Sequence, residues 1–139
     1  IFEMFIKNLN STQSKKMYTL ITADHGLTNI SNENRIYLDY EEDVVIYGDQ
    51  RSVYINGDET KVKEIFKNVP GHFLNSVEMR HLIGEPINNL NKRIYPEHCF
   101  LVDDGYIIFP KHLKADLVGY HGGITPEEMR VPVIEIKNF

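Results

Sequence analysis

With 139 residues, 42% of them hydrophobic and 11% aromatic, the chain has enough apolar material for one folded domain with its own core. No stretch reads as a membrane-spanning run or a signal peptide, and a net charge of −5 gives no basic footprint for a nucleic-acid polymer or an anionic membrane surface. The single cysteine, Cys99, excludes an internal disulfide and leaves the redox compartment open; its neighbours Phe100, Leu101 and Val102 point to a buried structural thiol.

The chain enters at Ile1, without an initiator methionine, on Phe2, Phe5, Ile6 and Leu9, spaced like the buried stripe of a helix that has no amino-terminal cap. It reads as a piece of a longer protein. Met17 to Thr22 is a short apolar, β-branched run, the pattern of a buried strand, and Asp24 and His25 stand at its carboxyl end before Gly26. In open α/β sheets ligands bind at that end. A carboxylate beside an imidazole can hold a divalent ion there, while Gly26 turns the chain. On this motif alone, an imidazole that merely hydrogen-bonds within the turn is an equal reading.

A polar linker, Ser31 to Arg35, leads to strand candidates Ile36–Tyr40 and Val44–Tyr47 around the acidic turn Glu41–Asp43. Arg51–Ile55 is a further strand, closed by Asn56, Gly57 and Asp58. A helix is expected from Thr60 to Asn68, with Val62, Ile65, Phe66 and Val69 on one face and Val69, Pro70 and Gly71 ending it. Ser76 can cap a second helix running to Leu82, with Glu78 in its first turn and Arg80 and His81 in its last. Cys99 to Phe109 reads as a hairpin turned at Asp104 and Gly105, which leaves Asp103 and Asp104 in solvent. His72, His81, His98 and His112 have no partner at metal-ligand spacing and are read as solvated or locally bonded.

The next segment carries a second imidazole. Gly119, Gly122 and Gly123 surround His121, so backbone can approach a bound ion or anion closely. Thr125 then caps a helical turn, with Pro126 at its first position and Glu128 placed for a capping box. Capping accounts for the Thr125 hydroxyl, so no nucleophilic role is assigned to it. Glu127 and Glu128 are read as helix-start carboxylates. Val131 to Ile136 is an extended apolar run.

Together, Thr22-Ala-Asp24-His25-Gly26 and His121-Gly-Gly-Ile-Thr-Pro-Glu-Glu-Met129 followed by Val131-Pro132 resemble the metal-binding motifs of the alkaline phosphatase superfamily. They are most similar to its type I phosphodiesterase / nucleotide pyrophosphatase branch. The resemblance implies an α/β fold, the carboxyl-terminal part of an alkaline-phosphatase-like sheet. Residues 1–43 and 114–139 would form its metal-binding core, and residues 44–113 an inserted α+β cap subdomain. It also implies two divalent ions flanking a phosphoester phosphorus, zinc or else manganese, with Asp24 and His25 as ligands of one ion and His121 of the other. The family's early aspartate, its Thr or Ser nucleophile and its Asp-x-x-x-His pair have no counterpart in residues 1–23.

The implied function is therefore that of the carboxyl-terminal part of a metal-dependent phosphodiesterase / nucleotide pyrophosphatase. Its partners would be a small phosphoester or nucleotide and the missing amino-terminal part of the same protein. Alone it is expected to bind metal weakly and to turn over little. Apolar surface near Leu20 and Ile134 would be exposed and open to pairing with a second copy. Phosphomutase-like or sulfatase-like chemistry, or a partner-binding domain with vestigial histidines, are the alternatives. Two expectations are geometric: His25 and His121 should lie within roughly 10 Å of each other, and Val53, Ile55, Val62, Ile65, Phe66, Phe100, Val102 and Ile107 should form the core of the cap.

Overall fold

The computed structural model describes residues 3, 4, 7, 8, 18–40, 42–113 and 115–137. Residues 3, 4, 7 and 8 are helical and exposed; Phe2, Phe5, Ile6 and Leu9 lie outside the described residues. The chain then runs β1 (Tyr18–Thr22), β2 (Thr28–Asn29), a single 3₁₀ turn, β3 (Arg35–Leu38), β4 (Val45–Gly48), β5 (Ser52–Asn56) and α1 (Glu59–Phe66). There follow β6 (Gly71–Phe73), α2 (Ser76–Ile83), α3 (Asn89–Ile94), β7 (His98–Val102), β8 (Ile107–Pro110), β9 (Gly119–Tyr120), α4 (Pro126–Met129) and β10 (Val133–Lys137).

The largest sheet has the order β4-β5-β7-β6 and is antiparallel throughout. Among the described residues there are also three two-stranded ladders: β1 with β10 and β2 with β9, both antiparallel, and β3 with β8, parallel. The main core lies on the large sheet, where Val53, Ile55, Val62, Phe66, Phe100 and Val102 are buried together. Ile65 packs against this cluster, half-buried. Ile107 does not belong to it. Successive side chains of a strand face opposite ways, so Ile108 enters the main core while Ile107 joins Ile30, Phe109 and Tyr120 in a second cluster. Leu38 of β3 also enters the main core, which therefore extends before residue 44.

The expected hairpin does not form. The turn exists, with Tyr106 N–H donating to the Asp103 carbonyl at 3.2 Å and Gly105 at φ +80°. Yet β7 pairs with β5 and β6, and β8 pairs with β3. Backbone of Gln50 and Arg51 sits between them: Val102 N–H donates to the Arg51 carbonyl at 3.0 Å and Ile108 N–H to the Gln50 carbonyl at 3.1 Å. Two unbroken apolar runs mark strands covered on both faces, whereas a free hairpin keeps one polar face.

The helix caps also move. Asp58 caps α1, accepting from the N–H groups of Thr60 and Lys61 at 3.0 and 3.1 Å. Asn75, not Ser76, caps α2: its side chain accepts from Val77 and Glu78, and the Glu78 carboxylate accepts from its N–H at 2.8 Å. Both residues can cap, but only Asn75 keeps extended backbone, at φ −74° and ψ 171°.

The strand expected to be buried, β1, is not buried in this chain; Leu20 is 53% and Ile134 48% exposed. The expected exposed apolar surface is present, on both sides of the ladder: Leu20 lies opposite Glu135 and Ile134 opposite Ile21, so the two side chains point opposite ways. Among the described residues no helix is long and apolar enough to cross a membrane. Cys99 is fully buried, and that burial pushes its thiol up to about 11. Iodoacetamide at pH 8 is therefore expected to label native Cys99 at least about tenfold more slowly than the unfolded chain. Equal rates in both states would contradict its placement.

Candidate functional site

Antiparallel pairing of Thr28 with Tyr120 brings the two motif loops to one end of the β2–β9 ladder. Continuing that register toward His25 on one side carries the other past His121. The rings stack, with centroids 3.7 Å apart and planes 18° from parallel. Side chains far apart in sequence are thus in contact, well inside the expected separation.

Around His25 the hydrogen bonds decide which nitrogen is available. Nδ1 lies 2.8 Å from the Gly26 carbonyl, which can only accept, so Nδ1 carries the proton and Nε2 keeps its lone pair in the neutral ring. Nε2 is 3.6 Å from Asp24 Oδ2. Asp24 is exposed, and its carboxyl is held below the usual range, first by the His25 backbone N–H, which donates at 3.0 Å. Asp24, His25 and His121 share a cleft of about 400 Å³ with Asp49, Ser52 and Tyr54.

Bordering this cleft through Glu128 is an ion pair that sequence reasoning missed. Arg51 and Glu128 are 1% and 2% exposed. Arg51 Nε and Nη2 donate to Glu128 Oε1 and Oε2 at 2.7 and 3.0 Å, and Nη1 donates to the Tyr106 carbonyl. Glu128 Oε1 also accepts from Gly123 N–H at 2.8 Å. Glu128 Oε2 accepts from the Thr125 hydroxyl at 2.7 Å. Glu128 does serve its helix start, as expected, but its carboxylate faces inward. One signal was available: an arginine opening a strand whose alternate residues, Val53 and Ile55, are core.

Burial pushes the Glu128 carboxyl up, and hydrogen bonds from Arg51, Thr125 and Gly123 outweigh it, leaving the group below its ordinary 4.5. A lowered folded pKa gives stability that is complete above the unfolded value and lost as pH falls through the folded one. Urea midpoints are therefore expected to drop below pH 4.5, and Glu128→Gln should flatten that dependence. An identical pH slope in the variant would refute the pairing.

The other candidates lie elsewhere. Asp104 is 77% exposed and 3.8 Å from Arg51 Nη2. His72, His81 and His112 are exposed, and His98 lies 3.3 Å from the Gly57 carbonyl through Nε2.

No protein-family model matches the sequence, and no curated protein does. Solved structures do. Murine ectonucleotide pyrophosphatase / phosphodiesterase 5 superposes with a TM-score of 0.70 at 20% identity, covering 96% of this chain and 37% of that one. The chain carries part of an alkaline-phosphatase-like fold. An inactive form of the murine enzyme in complex with AMP gives 0.72 at 19% identity, over 98% of this chain and 38% of that one. Phosphonoacetate hydrolase from Sinorhizobium meliloti, in complex with phosphonoacetate, gives 0.61 at 16%, over 96% and 38%. The chain thus spans under two-fifths of the length of these structures.

The resemblance of the two motif loops to metal-binding motifs implies a divalent ion at this site. The donors here suit such an ion: a carboxylate, and an imidazole whose Nδ1–H is tied to a carbonyl, as metal-binding histidines commonly are. Among the described residues no group of three His, Cys, Asp or Glu side chains converges around one point. The donors fit in kind and fall short in number.

Proposed function

We propose that this chain is the carboxyl-terminal part of a metal-dependent phosphodiesterase / nucleotide pyrophosphatase. Asp24 and His25 would hold one divalent ion and His121 the other, zinc or else manganese. The observation that carries the reading is the stacked His25–His121 pair beside Asp24, 3.7 Å between centroids, in the lining of one cleft. Bound ions would supply positive charge for a phosphoryl group and for the oxygen that leaves it. That charge is needed here, because Asp24 and Asp49 line the cleft and would repel an anionic substrate.

The chain's own groups orient and hold. His25 presents Nε2 because Gly26 occupies Nδ1. The hydroxyls of Ser52 and Thr125 are spent on the Gly122 carbonyl and on Glu128, so neither is offered as a nucleophile. The nucleophile and remaining ligands are assigned to the upstream part of the same protein. That part, or alternatively a second copy, would cover the apolar surface exposed near Leu20 and Ile134 on the β1–β10 ladder. Residues 44–113 are taken as the cap. Likeness to a phosphonoacetate hydrolase favours carbon–phosphorus cleavage as the second reading.

The complete parent chain is expected to hydrolyse bis(p-nitrophenyl) phosphate, to lose activity with a chelator and to regain it with zinc or manganese. Residues 1–139 alone should turn over little or nothing. Chelator-resistant hydrolysis by the parent, or vigorous metal-dependent turnover by the short chain, would overturn the proposal.

A further inference from the structure

We propose that Glu128 is a positioning residue for both imidazoles, holding the His121 loop with its carboxylate and the His25 loop with its backbone carbonyl, while Arg51 anchors it to β5. The inference deepens the function proposed above and takes its chemical meaning from it.

Two routes run from this one residue. The carboxylate accepts from Gly123 N–H at 2.8 Å, two residues after His121, and the Ser52 hydroxyl binds the intervening Gly122 carbonyl. The Glu128 carbonyl accepts from Gly26 N–H at 2.7 Å, and the Gly26 carbonyl in turn accepts from His25 Nδ1 at 2.8 Å. The His25 ring is therefore two hydrogen bonds from the Glu128 backbone. Arg51 and Ser52, adjacent on the chain, grip the same loop.

The arrangement has no slack. A Cβ on Gly123 would lie 2.6 Å from Glu128 Oε2 and 2.8 Å from Arg51 Nε, and one on Gly26 would run into the Glu127 carbonyl. Neither glycine is at positive φ. Their smallness serves close approach, since an alanine could adopt either backbone. An aspartate at 128 would fall about one carbon–carbon bond, roughly 1.5 Å, short of Gly123 and Arg51. Groups that orient metal-binding histidines from behind typically change metal affinity by about 10–100-fold when removed.

The test uses the complete parent chain, with cobalt(II) alone as the metal probe and ring-to-ring NMR contacts between His25 and His121 as the geometric readout. Arg51→Met with Glu128→Leu removes both charges and keeps apolar volume; Gly123→Ala keeps both charges and displaces the loop. Both variants should stay folded by circular dichroism, lose the ring contact and bind cobalt about 10–100-fold more weakly. Folded variants that keep the contact and bind within twofold of the parent overturn the proposal, as does unfolding of both, which would make Glu128 a prop of the fold alone. A parent that binds no cobalt, yet shows a ring contact the variants lose, sinks the metal-hydrolase reading and leaves the positioning role standing. A parent without the ring contact sinks the positioning role itself.

Discussion

If the proposed function holds, His121→Ala in the complete parent protein is expected to lower kcat/KM toward a phosphodiester about 10³-fold while leaving the fold intact. A divalent ion contributes several kcal/mol of charge stabilisation in the transition state, and each 1.36 kcal/mol is tenfold in rate, so loss of one ion's function is worth about that factor. The fold should tolerate the change because His121 is only half-buried and belongs to neither hydrophobic cluster. Substitution also removes the ring stacked 3.7 Å from His25, so His25 loses its neighbour as well. The control is His72→Ala, an exposed histidine remote in sequence from both motifs, which should leave activity unchanged. A His121→Ala variant within tenfold of the parent, with an unchanged melting curve, would remove His121 from the proposed chemistry. Metal titration separates the two causes: weaker binding points to a lost ligand, intact binding with slow turnover to a lost orientation.

Legibility in the sequence followed the range over which each structural cause acts. The two motif loops were readable because their signals are local: a strand's carboxyl end, an imidazole and glycines within a few residues. Most strands of the large sheet were readable for the same reason, each within a residue or two of its observed bounds. The hairpin failed because Asp104 and Gly105 specify a turn but not which edges the flanking strands take. Gln50 and Arg51, some fifty residues earlier, take those edges. The β2–β9 ladder is two residues long on each side and has no pattern of its own, yet it brings the histidines together. Most hidden was the Arg51–Glu128 pair, because neither residue's neighbours announce a partner 77 positions away. Glu128 satisfied a capping box on paper, and that sufficient local reason concealed the tertiary one.

Arg51→Ala should cost about 3–5 kcal/mol, since it leaves the Glu128 carboxylate buried without its cation. The loss reaches beyond one pair. The guanidinium also donates to the Tyr106 carbonyl and ties the start of β5, the turn after β7 and α4 together. In urea the midpoint should fall sharply with an unchanged slope, the sign of lost stability without a change in the surface exposed on unfolding. Arg51→Met with Glu128→Leu should cost much less than Arg51→Ala, because the desolvated carboxylate leaves with its partner and similar volume refills the site. That ordering, single variant worse than double, is the decisive comparison. An exposed ion pair contributes about 0–1 kcal/mol and would show the two variants nearly equal. Equal midpoints would therefore mean that water reaches Arg51 and Glu128, and would contradict their burial at 1% and 2% exposure.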